Sequence, residues 1–197
     1  MTDSQLIREI KDGNVELYAE LMDRYERKIL AFIYHMLKGA KLENMAEDLC
    51  QETFYKAFRS LQTFREVEAS FSTWLYTIAR NTVLSELRKQ RAGSVSLEES
   101  GIVPHAPSES LPEMSALRNE KVMLVRDAIN NLPEKQRSAL ILREYDQLDY
   151  QEIANILGQT VSAVKSLLFR ARSSLKAQLE PYFTEPIFQE YEGMNQR

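Results

Sequence analysis

The chain has 197 residues, a formal net charge of −4 and a single cysteine, Cys50. This length gives room for one or two small domains, and one cysteine excludes an internal disulfide and a cysteine-based metal site. The net negative charge argues against a protein that binds DNA tightly by itself, because few phosphates would be neutralised.

The N-terminal sequence MTDSQLIREI carries charge early, which excludes a signal peptide. The longest apolar run, residues 29–37, contains His35 and is too short to cross a bilayer. We therefore expect a soluble, cytoplasmic chain without direct membrane insertion. No metal or cofactor motif is present, so we expect no cofactor and no enzymatic activity.

Helix-forming residues dominate the first half, and the sequence predicts an all-α fold. Four helices are expected to pack as one bundle. The first ends at Gly13 and the second begins at Asn14, which we expect to act as its N-cap. The predicted helices are residues 4–12, 14–38, 44–61 and 70–91. In the third helix, Cys50, Phe54, Ala57, Phe58 and Leu61 are predicted to face the core.

The other face of the third helix is largely acidic. It consists of Glu47, Asp48, Gln51, Glu52 and Tyr55. A solvated helix face and a protein-docking patch both fit these residues. Catalysis by the paired carboxylates is not expected, because no histidine or metal set accompanies them.

The fourth helix combines aromatic and basic residues. Trp74 and Tyr76 are followed by Arg80, Arg88 and Lys89. Aromatic faces beside cations suit stacking of unpaired bases. The alternative is that Trp74, like Phe71, is an ordinary core residue. The arginines, with Thr77 and Asn81, are predicted on the outer face.

Residues 92–116 differ in composition from the rest of the chain. They contain three prolines, several serines and four glutamates, and no basic residue. This composition predicts a flexible acidic linker between two domains. The remaining charge divides evenly, with fourteen basic and fourteen acidic residues in 1–91 and eleven of each in 118–197. Positive charge is therefore expected to be local, on two helices of the chain.

The second domain is predicted to span residues 117–180 and to contain a helix-turn-helix. A helix over 117–131 precedes Pro133, which suits the first turn of the next helix. Asp149 and Glu152 form a capping box, Gly158 suits a left-handed helix end, and Thr160 can cap the last helix. Residues 181–197 form a tail that could pack on this domain or dock on a partner.

No acidic residue lies between Gly158 and Lys176, while Lys165, Arg170 and Arg172 are basic. A basic second helix after a tight turn is the layout that enters the DNA major groove. A helical hairpin with a solvated basic face is the alternative.

Three segments together resemble the extracytoplasmic-function group of bacterial sigma-70 factors. The family's region 2.2 is matched by the segment AEDLCQETFYKAF of this chain. Its regions 2.3 and 2.4 are matched by FSTWLYTIARNTVLSELRKQR, and its region 4 by LPEKQRSALILREYDQLDYQEIANILGQTVSAVKSLLFRARSSL. The resemblance covers residues 10–180. It departs from the family pattern at Leu167, where a basic residue is frequent, and at Ser162-Ala163, so no promoter sequence can be carried over.

The resemblance implies the roles of three residue groups. The acidic face of the third helix would bind the β′ clamp helices of core RNA polymerase. The −10 element would be melted and read by Phe64, Arg65, Trp74, Tyr76, Arg80, Asn81, Arg88 and Lys89, with residues 64–69 as a pocket for a flipped base. The −35 element would be read by Thr160, Ser162, Ala163, Lys165, Ser166, Arg170 and Arg172.

The resemblance further implies contact with the polymerase β flap and control by an anti-sigma factor, often one that holds the sigma factor at the membrane. The function expected is therefore that of an alternative sigma factor. A stand-alone helix-turn-helix repressor or activator is the second reading, and it should bind duplex DNA tightly without polymerase.

Overall fold

The computed structural model describes residues 1–38, 40–94 and 113–183, and all regular structure in these ranges is helical. The helices are α1 (Asp3–Lys11), α2 (Tyr18–Lys38), α3 (Ala46–Ser60), α4 (Phe71–Ser94), α5 (Glu113–Asn130), α6 (Glu134–Glu144), α7 (Tyr150–Leu157) and α8 (Val161–Phe183). Short 3-10 turns lie at Val15–Leu17, Glu43–Met45 and Leu61–Thr63. The all-α prediction is confirmed.

Helices α1 to α4 form an N-terminal module. Helix α1 begins at a capping box between Thr2 and Gln5, and its apolar face is buried against the module core. Helix α2 packs on α3 and α4, and α3 packs on α4. The buried side chains recur at helical spacing, so burial of one apolar stripe per helix holds the module together.

Two sequence predictions in this module are wrong. Asn14 makes no capping hydrogen bond, and a 3-10 turn, Val15–Leu17, separates it from α2. Its Nδ2 donates to Glu9 Oε2 at 2.6 Å. Phe58 is 40% exposed rather than in the core. Its ring lies 4.9 Å from that of Tyr18, at the margin of the module.

Helices α5 to α8 form the second module, and its helix-turn-helix is built as the sequence predicts. Asp149 accepts from the Glu152 backbone N–H at 2.8 Å, and Glu152 accepts from the Asp149 backbone N–H at 2.9 Å. Gly158 ends α7 at φ 60°. Thr160 Oγ1 then accepts from the Ala163 N–H at 3.2 Å, which caps α8.

The segment between the modules is shorter than the 25-residue stretch that composition indicated. Helix α4 continues to Ser94, and α5 begins at Glu113. Helix α8 also continues through Pro181 to Phe183. The centre of the predicted linker and the tail beyond residue 183 lie outside the described residues.

The two modules pack directly against each other. Helix α4 packs on α7, and α2 packs on α6. The buried side chains of both modules form one continuous apolar cluster. The arrangement is therefore closed, with the second module seated on helices of the first.

The left-handed residue at the turn gives a prediction for stability. No atom lies within 4 Å of the position that a Cβ would take at Gly158, so the cost of a side chain there is conformational. We expect Gly158→Ala to lower the free energy of unfolding by about 1–2 kcal/mol. Gly158→Asn should cost less, because asparagine adopts this conformation more readily. Urea unfolding of both variants measures this, and equal losses would contradict it.

Candidate nucleic-acid and protein interfaces

One exposed face of α3 carries the residues predicted to dock on a protein. Glu47, Asp48 and Gln51 are exposed, and Tyr55 is 60% exposed. Glu52 is half-buried and pairs with Lys56 at 2.6 Å. Arg59 donates to the Tyr55 hydroxyl at 3.3 Å and lies over its ring. The face is thus acidic at its N-terminal end and has an aromatic centre.

A cavity adjoins this acidic face. It has a volume of about 530 Å³, and Arg27, Leu30, Tyr34, Asn44 and Glu47 are among its lining residues. The cavity lies between α2 and the start of α3. Sequence periodicity places α3's apolar and polar faces but does not predict which residues of α2 line this groove.

Helix α4 distributes the residues predicted to read the −10 element over two faces. Asn81, Arg88 and Lys89 are exposed, and Trp74 is half-buried. At 100° per residue, Trp74, Asn81 and Arg88 follow each other at intervals of seven and form one stripe. This stripe is the outer face of α4.

Tyr76 and Arg80 lie on the opposite face of α4, against the second module. Tyr76 is 1% exposed and Arg80 is 8% exposed. The prediction that Arg80 belongs to the outer face is wrong. Residues of the outer stripe are seven positions apart. Arg80 is one position from Asn81, which is a rotation of about 100° around the helix, so Arg80 lies outside the stripe. The structure therefore does not bring Tyr76 and Arg80 together with Trp74 and Asn81.

Polar contacts hold this second face in place. Arg80 Nη2 donates to Glu134 Oε1 at 2.9 Å and to Oε2 at 3.1 Å, and Arg80 Nε donates to Oε1 at 3.2 Å. The Tyr76 hydroxyl donates to Asp146 Oδ1 at 2.7 Å. Both contacts join α4 to the second module.

The loop before α4 is anchored by an aromatic cluster. Phe64 is buried, and its ring lies 4.9 Å from Trp74 and 5.9 Å from Phe71. Lys11 Nζ donates to the Phe64 carbonyl at 2.6 Å. Arg65 and its neighbours as far as Glu68 are exposed. The loop therefore has a fixed base at Phe64 and exposed residues immediately after it.

The recognition helix α8 presents most of its predicted residues to solvent. Thr160, Ser162, Lys165, Ser166, Arg170 and Arg172 are exposed, and Ala163 is half-buried. Val164, Leu168 and Ala171 are buried on the other side. Arg172 pairs with Glu144 at 2.7 Å, and Lys165 Nζ lies 5.7 Å from the centre of the Tyr150 ring.

Three further residues share this exposed face of α8. Phe169, Ser173 and Lys176 are exposed, and Phe169 reaches 73%. They follow Ser162, Lys165 and Ser166 at intervals of seven to eleven positions along the helix. Lys176 is among the basic residues that the sequence places off the apolar seam. Helical periodicity could also have assigned Phe169 and Ser173 to this face, but basic charge does not select a phenylalanine or a serine.

Burial changes the acidity of two groups in these modules. Desolvation raises the pKa of Asp146, although its hydrogen bond from Tyr76 and the charge of Lys28 oppose the change. Burial raises the pKa of the Cys50 thiol to about 11, with a contribution from Glu26. Cys50 is therefore a protonated core residue at neutral pH and not a reactive thiolate.

Family models match both modules. The model described as Sigma-70 region 2 matches residues 21–93, and the model described as Sigma-70, region 4 matches residues 123–175. The chain belongs to the extracytoplasmic-function group of the sigma-70 family. Members of this family are transcription initiation factors, and the resemblance inferred from three segments is confirmed.

Characterised sigma factors match nearly the whole chain. RNA polymerase sigma-H factor of Pseudomonas aeruginosa is 35% identical, over 93% of this chain and 96% of the relative. The ECF RNA polymerase sigma factor SigW of Bacillus subtilis is 33% identical, over 88% of this chain and 94% of the relative. Each of these matches therefore extends over both modules of this chain, in the same order.

Solved structures share the fold. The sigma factor RpoE of Bartonella quintana, in complex with the anti-sigma factor NepR, is 26% identical with a TM-score of 0.62 and covers 83% of this chain and 96% of that chain. CnrH, in complex with the cytosolic domain of CnrY, is 21% identical with a TM-score of 0.66 and covers 91% of this chain and 97% of that chain.

The described ranges contain neither a candidate membrane span nor a candidate metal site. Within residues 1–38, 40–94 and 113–183, no helix has the length and apolar character that a bilayer crossing needs. No group of three or more histidine, cysteine or acidic side chains in the same ranges is placed to hold a metal ion.

The Tyr76–Asp146 contact gives a pH-dependent prediction. The pKa of Asp146 is raised in the folded chain, so its stabilising contribution is present below the unfolded pKa and is lost as pH rises through the folded pKa. The Tyr76 hydrogen bond supports the charged form. We therefore expect Tyr76→Phe to cost about 1–3 kcal/mol of unfolding free energy near pH 7 and less near pH 4.

Thermal or urea unfolding at the two pH values measures this difference. Tyr34→Phe, at an exposed tyrosine outside the contact between the modules, is the matched control. A loss for Tyr76→Phe that is equal at both pH values, or larger at pH 4, would contradict the assignment.

Proposed function

We propose that this chain is an alternative sigma factor that binds core RNA polymerase, directs it to promoters with −10 and −35 elements, and promotes melting of the duplex. The observation that carries the proposal is the match of both modules, in order, to sigma-70 regions 2 and 4. The protein acts by binding and positioning, and it is not an enzyme.

The acidic face of α3 is the proposed site for the β′ clamp helices of polymerase. Asp48 and Gln51 are exposed one helical turn apart, and neither takes part in the contact between the modules. Charged and amide side chains on a rigid helix give orientation as well as attraction. Tyr55 adds an exposed aromatic ring, a residue type enriched in interface cores.

The outer face of α4 and the loop at Phe64–Ala69 are the proposed −10 site. Asn81 offers an amide that can donate and accept hydrogen bonds at a base edge. Arg88 and Lys89 would hold phosphates, which positions the strand without reading its sequence. Trp74, resting on Phe64, provides an aromatic surface beside the exposed loop.

The exposed face of α8 is the proposed −35 site. Its N-terminal residues, from Ser162 to Ser166, lie where a recognition helix meets base edges in the major groove. Arg170 and Arg172 would contact the backbone. The same module is proposed to contact the polymerase β flap. Core polymerase would then hold both DNA sites of the chain on one rigid support.

An anti-sigma factor is the proposed regulator. The solved RpoE structure contains an anti-sigma factor, and the match to that sigma factor covers most of this chain. The proposed location is the bacterial cytoplasm, where polymerase and promoter DNA are present, with retention at the membrane when an anti-sigma factor is membrane-bound.

Removal of the α3 contacts tests the polymerase site. We expect Asp48→Ala with Gln51→Ala to weaken co-purification with core polymerase by roughly tenfold or more, because two central contacts are lost. Asp23→Ala, an exposed acidic residue of α2 outside the proposed site, is the matched control. In vitro transcription with core enzyme and a genomic promoter library should fall in parallel.

Wild-type binding by the double variant would reject the α3 assignment. A wild-type chain that fails to bind core polymerase but holds duplex operator DNA by itself would reject the sigma-factor proposal. That outcome would support the stand-alone repressor or activator instead.

A further inference from the structure

A cavity lies where the C-terminal end of α2 meets α5 and α6. It has a volume of about 400 Å³, which falls within the size range of small-molecule sites. His35 comes from α2, Val125 and Ile129 come from α5, and Ile141 and Tyr145 come from α6. None of its described lining residues belongs to the proposed polymerase or DNA sites, so neither kind of binding accounts for it.

The walls of this cavity are largely apolar. Ile141 is fully buried, Val125 and Ile129 are half-buried, and Val122 is 40% exposed. Apolar side chains that stay partly open in a concave site lose more water-exposed surface when an apolar group enters. The walls therefore favour an apolar ligand or an apolar part of one.

Two rings form a fixed side of the cavity. The ring of His35 on α2 lies 4.3 Å from the ring of Tyr145 on α6, at an angle of 38°. Tyr145 nevertheless remains 52% exposed. The contact joins the two helices, so the width of the cavity between them is set by packed rings and not by loops.

The charge around the cavity is positive. Lys38, Lys121 and Arg126 line it, and none of its described lining residues is acidic. Among the described residues, neither Lys38 nor Arg126 forms an ion pair. The Lys38 ammonium lies instead 5.2 Å from the centre of the Tyr34 ring. The cavity thus has apolar walls and cations that lack a carboxylate partner in the described part of the chain.

His35 responds to the same positive charge. Burial lowers the pKa of its imidazole, and the charges of Lys38 on α2 and Arg126 on α5 lower it further. On the side of α6 the imidazole faces the ring of Tyr145. Nearby cations disfavour the imidazolium form, whereas an anion in the cavity would favour it.

Helix ends account for only part of this charge. His35 and Lys38 lie in the last turn of α2, where a cation complements the helix dipole. The last turn of α5 contains no basic residue, so Arg126 lies outside it. The helix dipole therefore does not explain Arg126, whose guanidinium is suited to bind an anionic group.

We propose that this cavity binds one small amphiphilic anion of the medium-chain carboxylate class. Lys38 and Arg126 hold the anionic head group. The apolar body contacts Val122, Val125 and Ile129. A cleft between three helices admits a single molecule and not a membrane surface. The proposal does not depend on the proposed function, because the lining residues lie outside the polymerase and DNA sites.

Calorimetric titration of the full chain with decanoate tests both parts of the ligand. From octanoate to decanoate, we expect the affinity to rise about fourfold for each added CH2 group, because each buried CH2 contributes a similar transfer free energy. Decyltrimethylammonium has the same chain and the opposite charge, and it should bind roughly tenfold more weakly. Absence of decanoate binding below about 1 mM, or equal affinity for the two head groups, would overturn the proposal.

Substitutions at exposed positions locate the site without disturbing the core. Arg126→Glu and Val122→Gln should each weaken decanoate binding roughly tenfold, through the head group and the apolar body respectively. Arg8→Glu and Val15→Gln, at exposed positions of the first module, are the matched controls. Equal affinities of a site variant and its control would overturn the placement of the ligand.

The pKa of His35 gives a readout that a folding defect would not imitate. NMR titration of the imidazole measures it, and His105→Gln removes the signals of the second of the two histidines. We expect saturating decanoate to raise the pKa of His35, because a carboxylate then lies beside the ring. Decyltrimethylammonium should not raise it. An unchanged pKa with decanoate bound would place the ligand elsewhere and would overturn the proposal.

Discussion

The two faces of α4 set the constraint on which the rest of the structure depends. One face carries the exposed Asn81 and Arg88 and the half-buried Trp74, and the other packs on the second module through Tyr76 and Arg80. The same helix therefore supports the exposed stripe and the contact between the modules. The forked contact between Arg80 and Glu134 is the polar centre of the contact between the modules, since it satisfies a charge that burial would otherwise make unfavourable.

Charge distribution fits a factor that works on a larger assembly. The chain is net negative, but α4 and α8 each carry four basic residues and only one acidic residue. Each surface neutralises few phosphates, so binding by either module alone would be weak. Two weak contacts become strong together when a rigid support raises their effective concentration. The acidic face of α3 lies on a different surface from both, so the proposed polymerase and DNA sites do not overlap.

Local features of the fold were predictable from the sequence, and long-range ones were not. The capping box at Asp149, the left-handed Gly158 and the Thr160 cap depend on neighbours within four residues, and all three are confirmed. The burial of Arg80 depends on Glu134, which is 54 positions away, and no periodicity links the two. Asn14 was mispredicted because a 3-10 turn, and not the first turn of α2, follows it. The roles assigned to exposed residues came from the family resemblance, since exposure alone does not distinguish a binding face from a solvated one.

The contact between α4 and the second module fixes the distance between the two modules in the free chain. The most direct measurement is that distance in the wild-type chain, labelled at Val15→Cys and Met123→Cys, first free and then bound to core polymerase with promoter DNA. The account predicts one short distance in the free chain and a longer one, by tens of ångströms, in the complex, because the two promoter elements lie roughly 34–70 Å apart. The same short distance in both states, or separated modules in the free chain, would contradict it.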